Sequence, residues 1–299
     1  MFELTEKPLS LEKSMSKVYL ITGTSTGFGR SLAEAVLERG DKVVLTARKP
    51  EQVAQLAQAH SDNAIAVRLD VTKAQDRLAA VQAAIEQFGR IDVLVNNAGQ
   101  GSLGAVEGFS SEQIRKQFEV NCFGVIEMTR SVLPVMRSQK SGHIVNITSI
   151  GGLAAIGGFA LYCATKFAVE GFSEGLRDEV KPLGINVTIV EPGAFRTNFA
   201  GDANMQPSNE IDDYKAVIEP IQKYLYGNNG KQPGDPKKAA LAMIQAIESQ
   251  NPPLRLMLGA DAYGLWEQKR TAERQEFEQW KEIGIDTAYE DAVVAPIGG

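Results

Sequence analysis

The chain is poor in the side chains that metal centres and disulfide frameworks require: its 299 residues include only two histidines and two cysteines. His60 and His143 stand far apart, and neither joins Cys122 or Cys163 at ligand spacing, so no metal site is expected. With so little cysteine, a reduced, cytoplasmic setting is expected. No segment offers the roughly 18 uninterrupted apolar residues of a membrane span. The acidic N-terminal MFELTEKPLSLEKS likewise lacks the apolar stretch of a signal peptide. An excess of basic charge is missing too: 31 Lys and Arg face 37 Asp and Glu, a formal net charge of −6. Nucleic acid and anionic membranes call for clustered cations, so neither is expected as a partner and small-molecule chemistry is favoured.

What is present is an alternation. Short runs rich in Val, Ile and Leu (KVYLIT at 17–22, KVVLTA at 42–47, AIAVRL at 64–69, IDVLVN at 91–96) are separated by longer stretches of helical period. HIVNIT at 143–148 and INVTIV at 185–190 continue the series, and LRLML at 254–258 can close it. Strands this uniformly apolar belong in a parallel sheet covered on both faces by helices. Gly40 ends the first helix, and Ser110-Ser111 precede a long one reaching toward Met136. The expected fold class is α/β, a Rossmann-type doubly wound parallel β-sheet in one domain spanning 17–258. Residues 1–16 form an N-terminal extension and 259–299 a C-terminal helical one. Periodicity leaves the strand order open.

Three patterns bear on chemistry. After the first strand stands TGTSTGFG at 22–29, opening a helix. Glycines there let backbone amides approach a pyrophosphate at the positive end of the helix, although a ligand-free tight turn has the same composition. Tyr162 alone among seven tyrosines has a lysine four residues later, Lys166, and Ser149 lies thirteen residues before it. On a helix that spacing puts Tyr162 and Lys166 on one face, as it also would in a solvated pair. The third is Ala47-Arg48-Lys49 at the end of the second strand, where an acid would bind the ribose hydroxyls of NAD; the guanidinium of Arg48 suits a 2′-phosphate, or is an ordinary loop cation.

Together these motifs make the sequence resemble the classical short-chain dehydrogenase/reductase family over residues 16–258. The family's Thr-Gly-x3-Gly-x-Gly is matched by Thr22, Gly23, Gly27 and Gly29, and its Asn-Asn-Ala-Gly by Asn96 to Gly99. Its active-site tetrad maps onto Asn121, Ser149, Tyr162 and Lys166, and its Pro-Gly turn with a following Thr onto Pro192, Gly193 and Thr197. The resemblance implies that Tyr162 is the general acid/base, helped by Lys166, with Ser149 on the substrate oxygen. It associates Asn121 with an ordered water, while residue type alone equally suits an Asn that satisfies backbone groups at a helix break. A charge about 4 Å from the phenol, at an effective dielectric of about 20, is worth about 4 kcal/mol, so Lys166 is expected to do most of the work of activating Tyr162.

The implied cofactor is NADP (NADPH). Contacts are expected from Gly23, Thr24, Ser25, Gly27, Phe28 and Gly29 in the glycine loop and from Arg48 beyond the second strand. Asp70 and Val71 match the adenine contact, where Asp70 also suits a helix N-cap. Asn97, Ala98 and Gly99 are expected beside the nicotinamide ribose, and Pro192, Gly193, Phe195 and Thr197 beside the carboxamide, with Tyr162 and Lys166 completing the set. The position before the middle glycine is Thr26, where many NADP-preferring relatives carry a second basic residue.

The expected activity is therefore hydride transfer between NADP(H) and an alcohol/carbonyl pair; a catalytically idle NADP(H)-binding sensor on the same fold is the alternative from another class. The long connection 193–236 carries Phe195, Phe199, Met205, Tyr214, Ile218, Ile221, Tyr224, Leu225 and Tyr226. The resemblance puts it over the substrate as a lid, where these side chains either favour bulky apolar ketones and alcohols or pack the lid onto the domain. A homo-oligomer, with a dimer favoured through the helices near 111–136 and 161–180, is what the family implies. In the C-terminal extension Trp266, Phe277, Trp280 and Ile283 form a helical apolar stripe, expected to dock the helix on its own domain.

Overall fold

The computed structural model describes residues 16–201 and 204–293; the N-terminal extension up to residue 15 lies outside the described residues. The first half contains β1 (Val18–Ile21), α1 (Gly27–Glu38), β2 (Lys42–Ala47), α2 (Glu51–Ala59), β3 (Ala64–Arg68), α3 (Ala74–Phe88) and β4 (Val93–Asn96). The chain continues through β5 (Gly101–Leu103), α4 (Ser111–Phe118), α5 (Gly124–Gln139), β6 (Gly142–Ile147), α6 (Ala160–Val180) and β7 (Ile185–Pro192). It ends with β8 (Met205–Pro207), α7 (Lys215–Gly227), α8 (Pro236–Glu248), β9 (Arg255–Leu258) and α9 (Ala260–Ile285).

Seven strands form one sheet in the order β3-β2-β1-β4-β6-β7-β9, all parallel. Alternate side chains within each strand explain the layering. Tyr19, Ile21, Val43 and Leu45 join a core with Leu32 and Val36 of α1 and Ile244 of α8. Leu20, Val44, Leu94 and Ile144 enter the opposite core with Met128 and Val132 of α5 and Leu176 of α6. Each such aliphatic side chain contributes about 1.5–3 kcal/mol by burial, and a polar substitution on either face meets a filled core. The doubly wound α/β fold is as the alternation predicts. Successive strands are added leftward from β1 to β3 and then rightward from β4 onward, so the strand order switches between β1 and β4, and the carboxyl ends of those two parallel strands open the crevice where this architecture binds ligands.

Three departures from the sequence reading shape the site. The helix expected to run from Ser111 toward Met136 is two helices. Ser110 opens α4 with a capping box completed by Gln113, and a π-turn at Glu119–Phe123 separates α4 from α5 and turns Asn121 into the interior. The connection after Gly193 is not a plain loop: it contains β8, paired in parallel with β5, and the helix α7. The apolar stripe of α9 docks only in part. Ala262 is buried and Trp266 half-buried, but Phe277, Trp280 and Ile283 stand in solvent.

Candidate active site

The glycine loop between β1 and α1 is held from behind. Thr22 Oγ1 accepts from the backbone N–H groups of Asn97 and Ala98, and Asn97 Nδ2 donates to the carbonyls of Thr22 and Gly23, each at 2.8 Å. A side chain at Gly29 has no room, because its Cβ would lie 2.4 Å from both Asn97 Nδ2 and the Gly23 carbonyl. The side chain of Asn97, expected near the nicotinamide ribose, is thus spent on the loop itself. Thr24 is buried and donates to the Thr46 carbonyl at 3.1 Å, tying the loop to β2. Ser25 and Phe28 remain partly accessible, and Phe28 packs against Phe195 with ring centroids 5.1 Å apart.

These residues fit a dinucleotide. Helix α1 starts after Thr26 with no side-chain cap, which leaves its first N–H groups for an anion. Thr197 leans over the loop, its Cβ 3.6 Å from where a Cβ on Gly27 would stand. At the far end β2 finishes in buried Ala47, followed by exposed Arg48. Asp70 is not the N-cap of α3, whose cap position is Lys73. Its carboxylate instead accepts from the Thr72 N–H at 3.0 Å and the Thr72 hydroxyl at 2.7 Å, a turn that precedes the helix. Burial pushes the Asp70 carboxyl up, but those two bonds and the nearby Arg48 and Lys73 charges hold it below the usual range. Val71 is buried against Gly124, where α5 begins.

Asn121, Ser149, Tyr162 and Lys166 come together beyond the carboxyl ends of β4 and β6. Ser149 follows β6 and its hydroxyl accepts from the Gly151 N–H at 3.0 Å. Tyr162 and Lys166 share a face of α6, as their spacing predicts, with the Lys166 ammonium 5.7 Å from the Tyr162 ring centre. Lys166 Nζ donates to the Ile147 carbonyl at 2.9 Å. Asn121 and Lys166 both flank Gly99, where an added Cβ would lie 3.4 Å from Asn121 Oδ1 and 3.7 Å from Lys166 Nζ. Asn121 also clamps Gln100: its Oδ1 accepts from the Gln100 N–H at 2.9 Å, and its Nδ2 donates to the Gln100 carbonyl at 2.8 Å and to Thr165 Oγ1 at 3.2 Å. The backbone-satisfying reading of Asn121 is therefore realised at the π-turn.

The electrostatics differ from the simple expectation for Tyr162. Burial pushes its phenol well above the usual tyrosine range, more than the Ser149 hydrogen bond lowers it. Lys166 yields to the same burial and drops to about 8, with only the Glu170 carboxylate holding it up. Tyr162 accordingly stands as a protonated phenol at neutral pH.

Sequence reasoning did not find the bracing from the C-terminal part of the chain. Asp261 Oδ2 accepts from the Ala194 N–H at 2.6 Å, so close to Gly193 that a Cβ there would lie 2.3 Å from the carboxylate. Lys269 Nζ donates to the Leu153 carbonyl at 2.5 Å and sits over the Phe167 ring at 4.9 Å, joining the Ser149 turn to α6. Arg255 on β9 grips three carboxylates, Glu170 Oε2 at 2.6 Å together with Glu174 and Glu191. Apolar rings surround Tyr162, with Phe199 at 5.5 Å and Phe159 at 6.4 Å between centroids. Of the lid residues, Met205 is buried and Ile218 and Ile221 turn toward Gly158, while Tyr214, Tyr224 and Tyr226 are exposed.

Comparison with known proteins gives this arrangement its family. The short chain dehydrogenase family model matches residues 17–208, and the chain belongs to the short-chain dehydrogenase/reductase family of oxidoreductases. A short-chain dehydrogenase structure from Streptomyces avermitilis is 43% identical, with a TM-score of 0.86, covering 92% of this chain and 99% of that one. The 3-ketodihydrosphingosine reductase of Bacteroides thetaiotaomicron is 39% identical over 251 residues, 81% of this chain and 88% of the relative. An alcohol dehydrogenase from Thermococcus sibiricus, solved with 5-hydroxy-NADP, is 26% identical at a TM-score of 0.66, covering 81% of this chain and 96% of that one. Members of this fold act on small molecules with nicotinamide cofactors. No helix among the described residues is long and apolar enough to cross a membrane.

Proposed function

We propose that this chain is an NADP(H)-preferring reductase of ketones and aldehydes, reversibly oxidising the matching alcohols, with a preference for bulky apolar substrates. The observation that carries the reading is the meeting of three groups at one point: the half-buried Tyr162, the Ser149 hydroxyl hydrogen-bonded to its phenol, and the Lys166 ammonium 5.7 Å from its ring centre. When bound, the nicotinamide cofactor supplies or accepts the hydride. Tyr162 donates its proton to the carbonyl oxygen, and Ser149 hydrogen-bonds the same oxygen as negative charge grows there. Lys166, at about 8, stays largely protonated at neutral pH and keeps a positive charge beside the phenol. Because burial disfavours the tyrosinate, the reduction direction needs no prior ionisation and is favoured near neutral pH, whereas alcohol oxidation improves as pH rises.

The preference for NADP(H) is supported by β2 ending in Ala47 rather than an acid and by the exposed guanidinium of Arg48 beside Asp70. Charge-assisted bonds from such a group to a 2′-phosphate are worth about 1.5–3 kcal/mol, or roughly ten to a hundred and fifty fold in affinity. The preference for apolar substrates is supported by Phe199 and Phe159 around Tyr162 and by the inward Ile218 and Ile221 of the lid. The 39%-identical relative is named for a ketone substrate, the same reaction class.

The test is NADPH and NADH oxidation against a panel of small polar and bulky apolar ketones and aldehydes, with Tyr162→Phe beside the wild type. Expected are higher kcat/KM with NADPH, higher values for bulky ketones, and a loss of about 10² to 10⁴ in turnover for the variant with cofactor binding retained. Near-normal turnover in Tyr162→Phe overturns the mechanism; no oxidation with any carbonyl compound, despite tight NADPH binding, identifies a cofactor-binding sensor instead.

A further inference from the structure

Tyr162, Lys166 and Glu170 follow one another at intervals of four along α6, so a proton donor, a cation and an acid share one stripe of the helix. The tetrad ends at Lys166, and Glu170 lies one turn beyond it. Both side chains are out of solvent, Lys166 being 7% exposed and Glu170 4%. Lys166 Nζ donates to a neutral acceptor, the Ile147 carbonyl. A buried ammonium needs an opposite charge nearby as well, or it gives up its proton.

Glu170 is held where it can be that charge. Both its oxygens are acceptors: Oε1 takes the Thr148 hydroxyl at 2.5 Å, and Oε2 takes an Arg255 N–H at 2.6 Å. Burial pushes its carboxyl up, and the Thr148 and Arg255 bonds pull it back. A Cβ on Gly152 would lie 3.0 Å from both Cγ and Oε1 of Glu170. The carboxylate thus packs directly against the turn that follows Ser149, and glycine at 152 leaves room for it. Thr148 stands in the chain between Ile147, whose carbonyl holds Lys166, and Ser149, so its bond fastens the carboxylate to the segment that carries both.

Arg255 is shared with Glu174 and Glu191, three acids to one guanidinium. Glu191 relieves the excess. One of its oxygens has no partner, and it takes up a proton first, rising to about 7, which leaves the charge on Glu170. The other titratable groups around the pair are Tyr162 and Cys163 of α6, both raised by burial and so neutral at pH 7, and Lys269 of α9 at the Leu153 carbonyl, itself paired with Glu273.

We propose that Glu170 is a positioning residue of the reaction: its carboxylate, fixed by Thr148 and Arg255, keeps Lys166 charged beside Tyr162 while the phenol gives up its proton. It acts through Lys166, and the proposal rests on the reading of Tyr162 and Lys166 as the proton-donating pair. Lys166 stands at about 8, lowered by burial and raised by the Glu170 charge. Without that carboxylate the lysine falls further, and once uncharged it no longer stabilises the oxyanion left on Tyr162.

Glu170→Gln, of the same size but without charge, tests this in two ways. In the cofactor-free chain labelled with carbon-13 at the lysine ε carbons, an NMR titration follows Lys166 directly, its signal assigned by its absence from Lys166→Met. The midpoint is expected near 8 in the wild type and about one pH unit lower in Glu170→Gln. In ketone reduction with NADPH the charged fraction of Lys166 at pH 8 then drops from about a half to about a tenth, so kcat falls about fivefold there and hardly at pH 6. A merely structural loss lowers kcat alike at both. Glu191→Gln removes the neighbouring acid and leaves the Glu170 charge, so the Lys166 midpoint is expected to stay in place; that variant gives the answer if Glu170→Gln does not fold. A midpoint unmoved in Glu170→Gln, or lowered by about one pH unit in Glu191→Gln, overturns the proposal. Tyr162→Phe separates the two levels. Normal turnover there ends the proton-donor reading and the proposal with it, whereas lost turnover together with an unmoved Lys166 midpoint in Glu170→Gln ends the proposal alone.

Discussion

The three carboxylates on Arg255 make a prediction that ordinary surface ion pairs do not. Glu191 is essentially inaccessible to solvent, one of its carboxylate oxygens has no hydrogen-bond partner, and Glu170 is buried beside it. Burial raises the Glu191 carboxyl to about 7, the Glu170 charge adds to the rise, and Arg255 opposes both. In the unfolded chain the same group titrates near 4.5. The folded state therefore holds the proton more tightly, so the stabilisation is present at low pH and fades as pH rises through about 7. The interval between 4.5 and about 7 corresponds to about 3 kcal/mol. Glu191→Gln keeps the size and one oxygen for Arg255 but never ionises. It should gain about 3 kcal/mol over the wild type at pH 8 and only about 1 kcal/mol at pH 5. Urea unfolding of both proteins at pH 5, 6, 7 and 8 measures the difference, in which the titrating groups remote from Glu191 cancel. A difference that does not change with pH, or a variant less stable at pH 8, would refute the argument. Arg255→Met is the complementary experiment: it leaves buried carboxylates without their cation and should lose about 3–5 kcal/mol, more at high pH than at low.

Two further predictions address the cofactor side. Gly29→Ala places a methyl 2.4 Å from Asn97 Nδ2 and the Gly23 carbonyl, so the loop must open; NADPH fluorescence titration should show at least a tenfold weaker affinity, and unchanged affinity would mean the loop does not cradle the pyrophosphate. Ala47→Asp with Arg48→Leu restores the acid that binds ribose hydroxyls and removes the guanidinium; the ratio of kcat/KM for NADPH over NADH should fall at least tenfold, and a ratio already below one in the wild type would end the NADP(H) assignment.

What was legible in the sequence is what is local in the chain. Tyr162 and Lys166 are one helical turn apart, so their common face follows from spacing alone, and the strand KVVLTA occupies the same six residues in the fold. The glycine loop and the helix after it are likewise contiguous. The break in the long helix is local too, but nothing in EVNCF announces a π-turn; only the bonds from Asn121 to Gln100 and Thr165, 21 and 44 residues away, make it worthwhile. The Tyr162 phenol was misjudged for a related reason. The lysine beside it was visible, but the burial that raises the phenol against the Ser149 hydrogen bond comes with the packing of Phe159 and Phe199 around its ring, which no periodicity gives.

The same limit explains why the bracing escaped notice. Arg255 finds Glu191, Glu174 and Glu170 across 64, 81 and 85 residues, and Lys269 reaches Leu153 across 116. Separately each is an unremarkable charge in an acidic chain, and only the sheet order, with β9 beside β7, brings Arg255 to the helix that carries Lys166. These contacts come from residues beyond 208, where the family match ends. The shared motifs therefore account for which groups meet at Tyr162, while the chain's own C-terminal part holds the Ser149 turn, the Gly193 turn and the buried carboxylates in place. A change at Arg255 or Lys269 should accordingly alter stability and turnover together, whereas a change at Phe277 or Trp280, on the bare half of the same helix, should alter neither.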